Sequence, residues 1–141
     1  MKQLLIFILL ATTLCWMMFA PVYKHVYIMR QALLQQEVDY LLEVGTSGQY
    51  GYISQMLIDQ SRERLKSFGL EPSQLVYEAK STLGQSVLTS SERVPRGEGI
   101  ALTISYPVEG LFAIDELIGV QAPDKQRITA YGVQMSEYVQ P

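Results

Sequence analysis

Residues 4–23 read LLIFILLATTLCWMMFAPVY, twenty consecutive positions without a charge. At about 1.5 Å per residue, a helix of that length spans roughly 30 Å, the thickness of a bilayer's hydrocarbon core. Lipid offers no partner to free backbone groups, so a single segment crosses it only as a helix. The pattern therefore predicts a transmembrane anchor over residues 1–23. The helical period continues past the anchor without a break. Val22, Val26, Met29 and Leu33 recur at helical spacing, and Leu34, Val38 and Leu41 repeat it on an adjacent face. Glu37, Asp39 and Glu43 take the polar side, and no glycine occurs between residues 22 and 44. This predicts a helical stalk over residues 24–45, stopped by Gly45 as the residue just past its end. Anchor and stalk together would be roughly 60 Å long.

Residues 46–141 then read as a small domain. A second helix is predicted over residues 52–68, with Ile53, Met56, Leu57, Leu65 and Phe68 as its apolar face. Gly69 is its stop, and Pro72 follows. Asp59, Arg62, Glu63, Arg64 and Lys66 are expected to be a solvated face. From residue 74 the period falls to two. Strands are expected over residues 74–79, over the polar stretch 86–94, and most clearly over 100–106. There Ile100, Leu102, Ile104 and Tyr106 alternate with Ala101, Thr103 and Ser105. Arg96-Gly97-Glu98-Gly99 is a turn, its glycines supplying positive φ. Residues 111–120 suit a strand or a short helix, 122–125 a turn, and 127–135 a last strand. The predicted class is α+β: a long transmembrane-plus-stalk helix, a second helix, then a small, mainly antiparallel sheet.

Composition narrows the functions that this plan can serve. The 141 residues carry 11 Lys and Arg against 14 Asp and Glu, a formal net charge of −3. Nucleic-acid binding is not expected of such a chain. One histidine, His25, and one cysteine, Cys15, leave no set of residues with metal spacing and no intramolecular disulfide. A Ser-His-Asp triad could use only His25, beside the membrane boundary. Asp115 and Glu116 are adjacent, so in a strand they would face opposite ways. Arg96-Gly97-Glu98-Gly99 lacks the third glycine of a dinucleotide fingerprint and precedes a strand. No catalytic residue, cofactor or metal ligand is therefore assigned, and the chain is read as non-enzymatic. Nine tyrosines offer broad contact area with a polar tip, suited to sheet packing or to interfaces.

A cleaved signal peptide is the main rival to an anchor. The apolar run is longer than the ~7–15 residues of a signal core, and Pro21 directly follows the small residue Ala20. A lipoprotein signal at Cys15 would want a small residue where Leu14 stands. The charge count around the span is nearly balanced, with Lys2 before it and Lys24, His25 and Arg30 after it, so charge does not set the orientation.

Pro21-Val22-Tyr23, leading into Arg30-Gln31-Ala32 and on to Leu42-Glu43-Val44-Gly45, resembles the N-terminal region of TadE-like bacterial membrane proteins. Arg96-Gly97-Glu98-Gly99-Ile100, opening a strand that ends at Ser105-Tyr106, is similar to theirs. The tail Tyr131-Gly132-Val133-Gln134-Met135-Ser136-Glu137-Tyr138 resembles the Gly-x-x-x-Ser-Glu-x-Tyr ending of small bacterial membrane proteins related to TadE, with Tyr138 here directly after Glu137. The resemblance implies a pilin-like fold and a minor-pilin or pseudopilin role in a Tad/Flp-type (type IVc) pilus, or in a related secretion or conjugation machine. It also implies a single-pass cell-membrane protein with its C-terminal domain outside the cytoplasm. Its partners would be membrane lipid and other single-span pilin-like subunits or polytopic assembly-platform proteins, in an oligomer or complex. The helix–helix assembly face would be Val22, Val26, Met29 and Leu33. The chain departs from a prepilin in having no acidic residue before Glu37. A monomeric, membrane-tethered binding or accessory module is the alternative. The anchor itself is testable. Membrane-extracted protein is expected to show an intact mass of 15.9 kDa, whereas a species beginning near residue 21 would contradict an uncleaved span.

Overall fold

The computed structural model describes residues 1–108 and 127–141, with every side chain among them except those of Ala20 and Tyr23. A helix α1 (Lys2–Gly45) is followed by a helix α2 (Gln55–Ser67) and three strands, β1 (Val76–Ser81), β2 (Gly99–Pro107) and β3 (Arg127–Met135). Short 3-10 turns occupy Pro72–Gln74 and Ser90–Glu92. The layout is α+β. The expected elements at 111–120 and 122–125 lie outside the described residues.

At 44 residues, α1 is about 66 Å long. Its first half is apolar and long enough to cross a membrane, and none of that stretch is buried inside the protein. The hydroxyls of Thr12 and Thr13 donate to the carbonyls of Ile8 and Leu9 at 2.7 and 2.8 Å, so neither is left unpaired in an apolar surrounding. Pro21 lies inside the helix. It lacks the N–H that would reach the carbonyl four residues earlier, yet the helix continues through it.

The second half of α1 is a core element. Leu34, Val38, Leu41 and Leu42 are buried in one cluster with Ile100, Leu102, Ile104, Ile128 and Ala130 of the sheet. The sheet is antiparallel in the order β1-β2-β3. Its register aligns Tyr77, Ile104 and Ala130, and next to them Ala79, Leu102 and Gly132, on the face that α1 covers. Alternation makes this possible, since Ile100, Leu102, Ile104 and Tyr106 all point one way. Gly132 sets the closeness of the fit. A Cβ there would lie 2.8 Å from Val38 Cγ1 and 2.9 Å from Leu42 Cδ1. The free edge of β3 is met by α1 at two of its carbonyls. The side-chain amides of Gln31 and Gln35 donate to the carbonyls of Thr129 and Tyr131 at 2.8 and 3.2 Å. Four helical residues rise about 6 Å and two strand residues about 6.8 Å, so Gln31 and Gln35 match the spacing of two carbonyls on this edge.

Several expectations need correction. Gly45 was expected just past the helix, but it is the last helical residue and the cap is Thr46, at φ −87°. The Thr46 amide and hydroxyl both reach the Leu42 carbonyl. Gly45 is required by crowding instead, because a Cβ would come within 2.9 Å of Ile53 Cγ1. α2 begins at Gln55, where the Ser54 hydroxyl accepts from the Leu57 amide. Its buried face is Leu57, Ile58, Ser61 and Leu65, while Met56 and Phe68 are exposed and Ile53 is buried just ahead of the helix. Ser61 is polar and so hid the true stripe; its hydroxyl pairs with that of Tyr77 at 2.9 Å. Residues 86–94 form no strand beyond an isolated bridge between Ser86 and Lys80. The segment is an anchored loop, with Val87 and Val94 buried. Gly69 does stop α2, at φ +87°, and Gly97 takes φ +99° in the turn before β2.

Because α1 supplies four fully apolar core side chains, the domain begins upstream of Leu34. Removing them would forfeit on the order of 6–12 kcal/mol of burial, comparable to the whole stability of an ordinary domain at about 5–15 kcal/mol. A fragment of residues 24–141 is therefore expected to melt cooperatively by circular dichroism. A fragment of residues 45–141 is expected to show no cooperative transition.

Candidate functional site

Two groups of residues stand out on this frame: the C-terminal tail with its motif, and the apolar stripe on α1. The tail is a lock. The Ser136 hydroxyl donates to the Val94 carbonyl at 2.7 Å, and the Ser136 amide to the Glu98 carbonyl at 2.8 Å. The Glu137 amide donates to the Thr46 carbonyl, and the Arg96 amide to the Tyr138 carbonyl. Tyr138 is buried against Gly51, where a Cβ would sit 2.7 Å from the ring's first carbon. The Arg93 guanidinium lies over the rings of Tyr52 and Tyr138 and donates to the Tyr138 hydroxyl at 2.8 Å. Ser136 and Tyr138 thus close the domain's distal end, where α1 stops, onto the loop before β2, while Gly132 gives α1 its close seat on β3. Their work is architectural.

The stripe is different. At about 100° per residue, Val22, Val26, Met29 and Leu33 fall within about 60° of one another on α1. Tyr40 and Val44 continue the same azimuth upward, with Glu37 at its border. The upper part meets α2, which shields Glu37 and leaves Tyr40 44% exposed. The Arg64 guanidinium holds the Glu37 carboxylate in a two-pronged bond, with Nε–Oε1 and Nη2–Oε2 both 3.0 Å, and lies over the Tyr40 ring at 4.6 Å. The bond with Glu37 raises the Arg64 pKa above its ordinary value. The expected solvated face of α2 therefore includes one arginine that fastens the two helices, a pairing across 27 residues that no local pattern signals. Burial pushes the Tyr77 hydroxyl above its ordinary pKa, so the Ser61–Tyr77 pair stays uncharged at neutral pH.

Among the described residues, nothing covers the stripe below Leu33 as fully. Leu33 is half-buried and packs on the core, while Val26 is half-exposed. Val22 and Met29 are 51% and 61% exposed. The four residues expected as one assembly face thus divide: Leu33 is shared with the protein's own core, and Val22, Val26 and Met29 are available. Phe68, at the lower end of α2, is 63% exposed. Sequence reasoning assigned it to the core of the second helix, and its exposure is legible only once α1 and α2 are in place.

The remaining chemistry is sparse. Among the described residues no three His, Cys, Asp or Glu side chains are grouped to hold a metal ion. His25 is exposed on α1 and Cys15 is a free thiol exposed on the apolar half. A wide-open depression along α2 is lined by Gln55, Met56, Asp59, Gln60, Glu63 and Arg64, without a nucleophile–base pair. Among the described residues the Arg62 Nε meets no hydrogen-bond partner, although its guanidinium lies over the Tyr77 ring at 5.3 Å and near Asp59. No known family, curated protein or solved structure matches the chain in comparisons of sequence and fold.

Proposed function

We propose that the chain is a non-enzymatic, membrane-anchored, pilin-like subunit, of minor-pilin or pseudopilin type, belonging to a Tad-type pilus, secretion or conjugation machine. It assembles through the lower stripe of α1, and its C-terminal domain lies outside the cytoplasm. The observation that carries this reading is the stripe itself. A helix that only tethers a domain has no need of apolar side chains between lipid and domain. Among the described residues, Met29, which lies beyond the apolar run, stays 61% exposed although Leu33, one turn above it, packs on the core. Burying Val22, Val26 and Met29 against a neighbour is worth about 1.5–3 kcal/mol each before the costs of association.

The double substitution Val26→Asn with Met29→Asn removes two of these side chains without touching the core. Co-purification with membrane partners is expected to fall at least about tenfold, the equivalent of about 1.4 kcal/mol. The melting temperature of the domain should not move. Undiminished assembly would leave a monomeric tethered module as the better reading. Orientation has its own test. In a Cys15→Ala background, Ser90→Cys, on an exposed turn, is expected to react with an impermeant maleimide in intact cells. Reaction only after lysis would place the domain in the cytoplasm.

A further inference from the structure

We infer that the folded domain is itself a lipid-contacting surface: the lower end of its sheet lies at the depth of the phospholipid headgroups, and Arg127 is a fixed arm for their phosphate groups. The inference rests on the membrane anchor in the reading above and not on the assembly role of the stripe. It follows from how α1 carries the sheet.

Contacts between α1 and β3 set the heights. The uncharged run over residues 4–23 already fills a hydrocarbon core of about 30 Å, so its end at Tyr23 marks the boundary of that core. Gln31 is eight residues further along the same helix, about 12 Å above the boundary. Its side-chain amide donates to the Thr129 carbonyl, and that of Gln35, one turn higher, donates to the Tyr131 carbonyl. β3 therefore climbs alongside α1. Arg127 stands two strand residues before Thr129, about 6–7 Å lower. That puts it about 5–6 Å above the boundary, level with Pro107, its partner in β2. The polar layer of a bilayer is about 5–7 Å deep on each side of the core. A tilt of about 20° moves an element packed about 10 Å from the axis of α1 up or down by only about 3 Å. The foot of the sheet thus stands among the headgroups, not clear of them.

Arg127 is positioned for that layer. Ile128 and Ala130 face the core, so by alternation Arg127 projects from the opposite face of the sheet, where it is exposed. Its Nε donates to the Ser105 hydroxyl at 3.2 Å, and its Nη2 donates to the carbonyls of Gln74 and Ser105 at 3.1 and 3.2 Å. These acceptors are all neutral. They fix the plane of the guanidinium and leave its charge uncompensated, with Nη1 used by none of them. Among the described residues no carboxylate comes within 4 Å of Arg127, whereas Arg62 and Arg64 each have one. A planar guanidinium held in this way is a strong donor to a phosphate oxygen. On the α1 side of the sheet, the Arg30 guanidinium lies over the Tyr106 ring at 5.8 Å, and Lys24 and His25 are exposed just above the boundary. Glu71, whose amide donates to the Tyr106 hydroxyl, shares this end of the domain, and four acidic residues occur in 109–126. Depth and a positioned guanidinium, not net charge, therefore bring the phosphate here.

The full chain in bilayers of phosphatidylcholine and phosphatidylglycerol, in phosphate-free buffer, tests both parts. With the arginine Cζ carbons labelled, solid-state NMR is expected to show dephasing by phosphorus, for which lipid is then the only source. Arg127→Gln is expected to remove the larger share of it, and Arg93→Gln, at the distal end, none. Depth is read without touching Arg127. In a Cys15→Ala background, a nitroxide on Gln74→Cys, whose carbonyl Arg127 holds, is expected to be shielded from an aqueous nickel chelate, and one on Ser90→Cys to be open to it. The single tryptophan, Trp16, lies inside the apolar run and reports the anchor through quenching by lipids brominated in their acyl chains. If Trp16 is quenched but phosphorus dephasing is absent, or positions 74 and 90 are equally open to the chelate, the domain stands clear of the membrane and the inference falls while the anchor stands. Dephasing that Arg127→Gln leaves unchanged would also overturn it. An unquenched Trp16 would remove the anchor and the inference together.

Discussion

One helix has to satisfy two solvents. The first half of α1 is apolar and long enough to cross a membrane, the second half faces a protein core, and the helix runs continuously between them through Pro21. Everything else in the molecule follows from that continuity. The apolar run ends at Tyr23 and the first residue that packs on the core is Tyr27, so the domain begins about one turn beyond that run. No flexible linker separates the two. A force or rotation applied to the span reaches Leu34, Val38 and Leu41, and through them the sheet.

The domain is built to hold that helix tightly. Two glycines, Gly45 and Gly132, mark the places where another element presses against α1 or its end, and each would clash as alanine. Polar side chains of α1 work at its flanks. Gln31 and Gln35 bind the open edge of β3, and Glu37 binds Arg64 of α2. The tail completes the enclosure, since Glu137 is tied to Thr46 at the helix end. Buried hydroxyls at Thr46, Ser61, Ser81 and Ser136 all find partners, as a small core with little margin for an unpaired polar group requires. What the enclosure leaves uncovered on α1, between the bilayer and α2, is the surface on which the functional reading depends.

The long helix and β2 were legible in the residues because each has an unmixed period: twenty uncharged positions for one, strict alternation for the other. β1 and β3 were found within two residues of their ends for the same reason. Other features depend on contacts far apart in sequence. Residues 86–94 alternate well enough to suggest a strand, but Val87 and Val94 are held by bonds to Ala79 and Gly51 as loop anchors. The face of α2 was misread because Ser61 and Tyr77 bury a polar pair where an apolar residue would be expected. Gly45 looked like a helix stop, and it stands there for want of space beside Ile53. Of the candidate face, spacing found the stripe but could not show that Leu33 belongs to the core and Met29 does not. That division is made by the core, which reaches Leu33 and leaves Met29 exposed.

The central claim, that membrane anchor and domain core share one unbroken helix, is most directly tested by amide hydrogen exchange on the full chain in lipid nanodiscs. Amides of residues 34–44 are predicted to open with the same free energy as those of Leu102 and Ile104 in β2, because removing the helix unfolds the sheet. If residues 34–44 instead exchange through a separate, lower-energy opening while β2 stays protected, α1 is only a tether and the shared core does not exist.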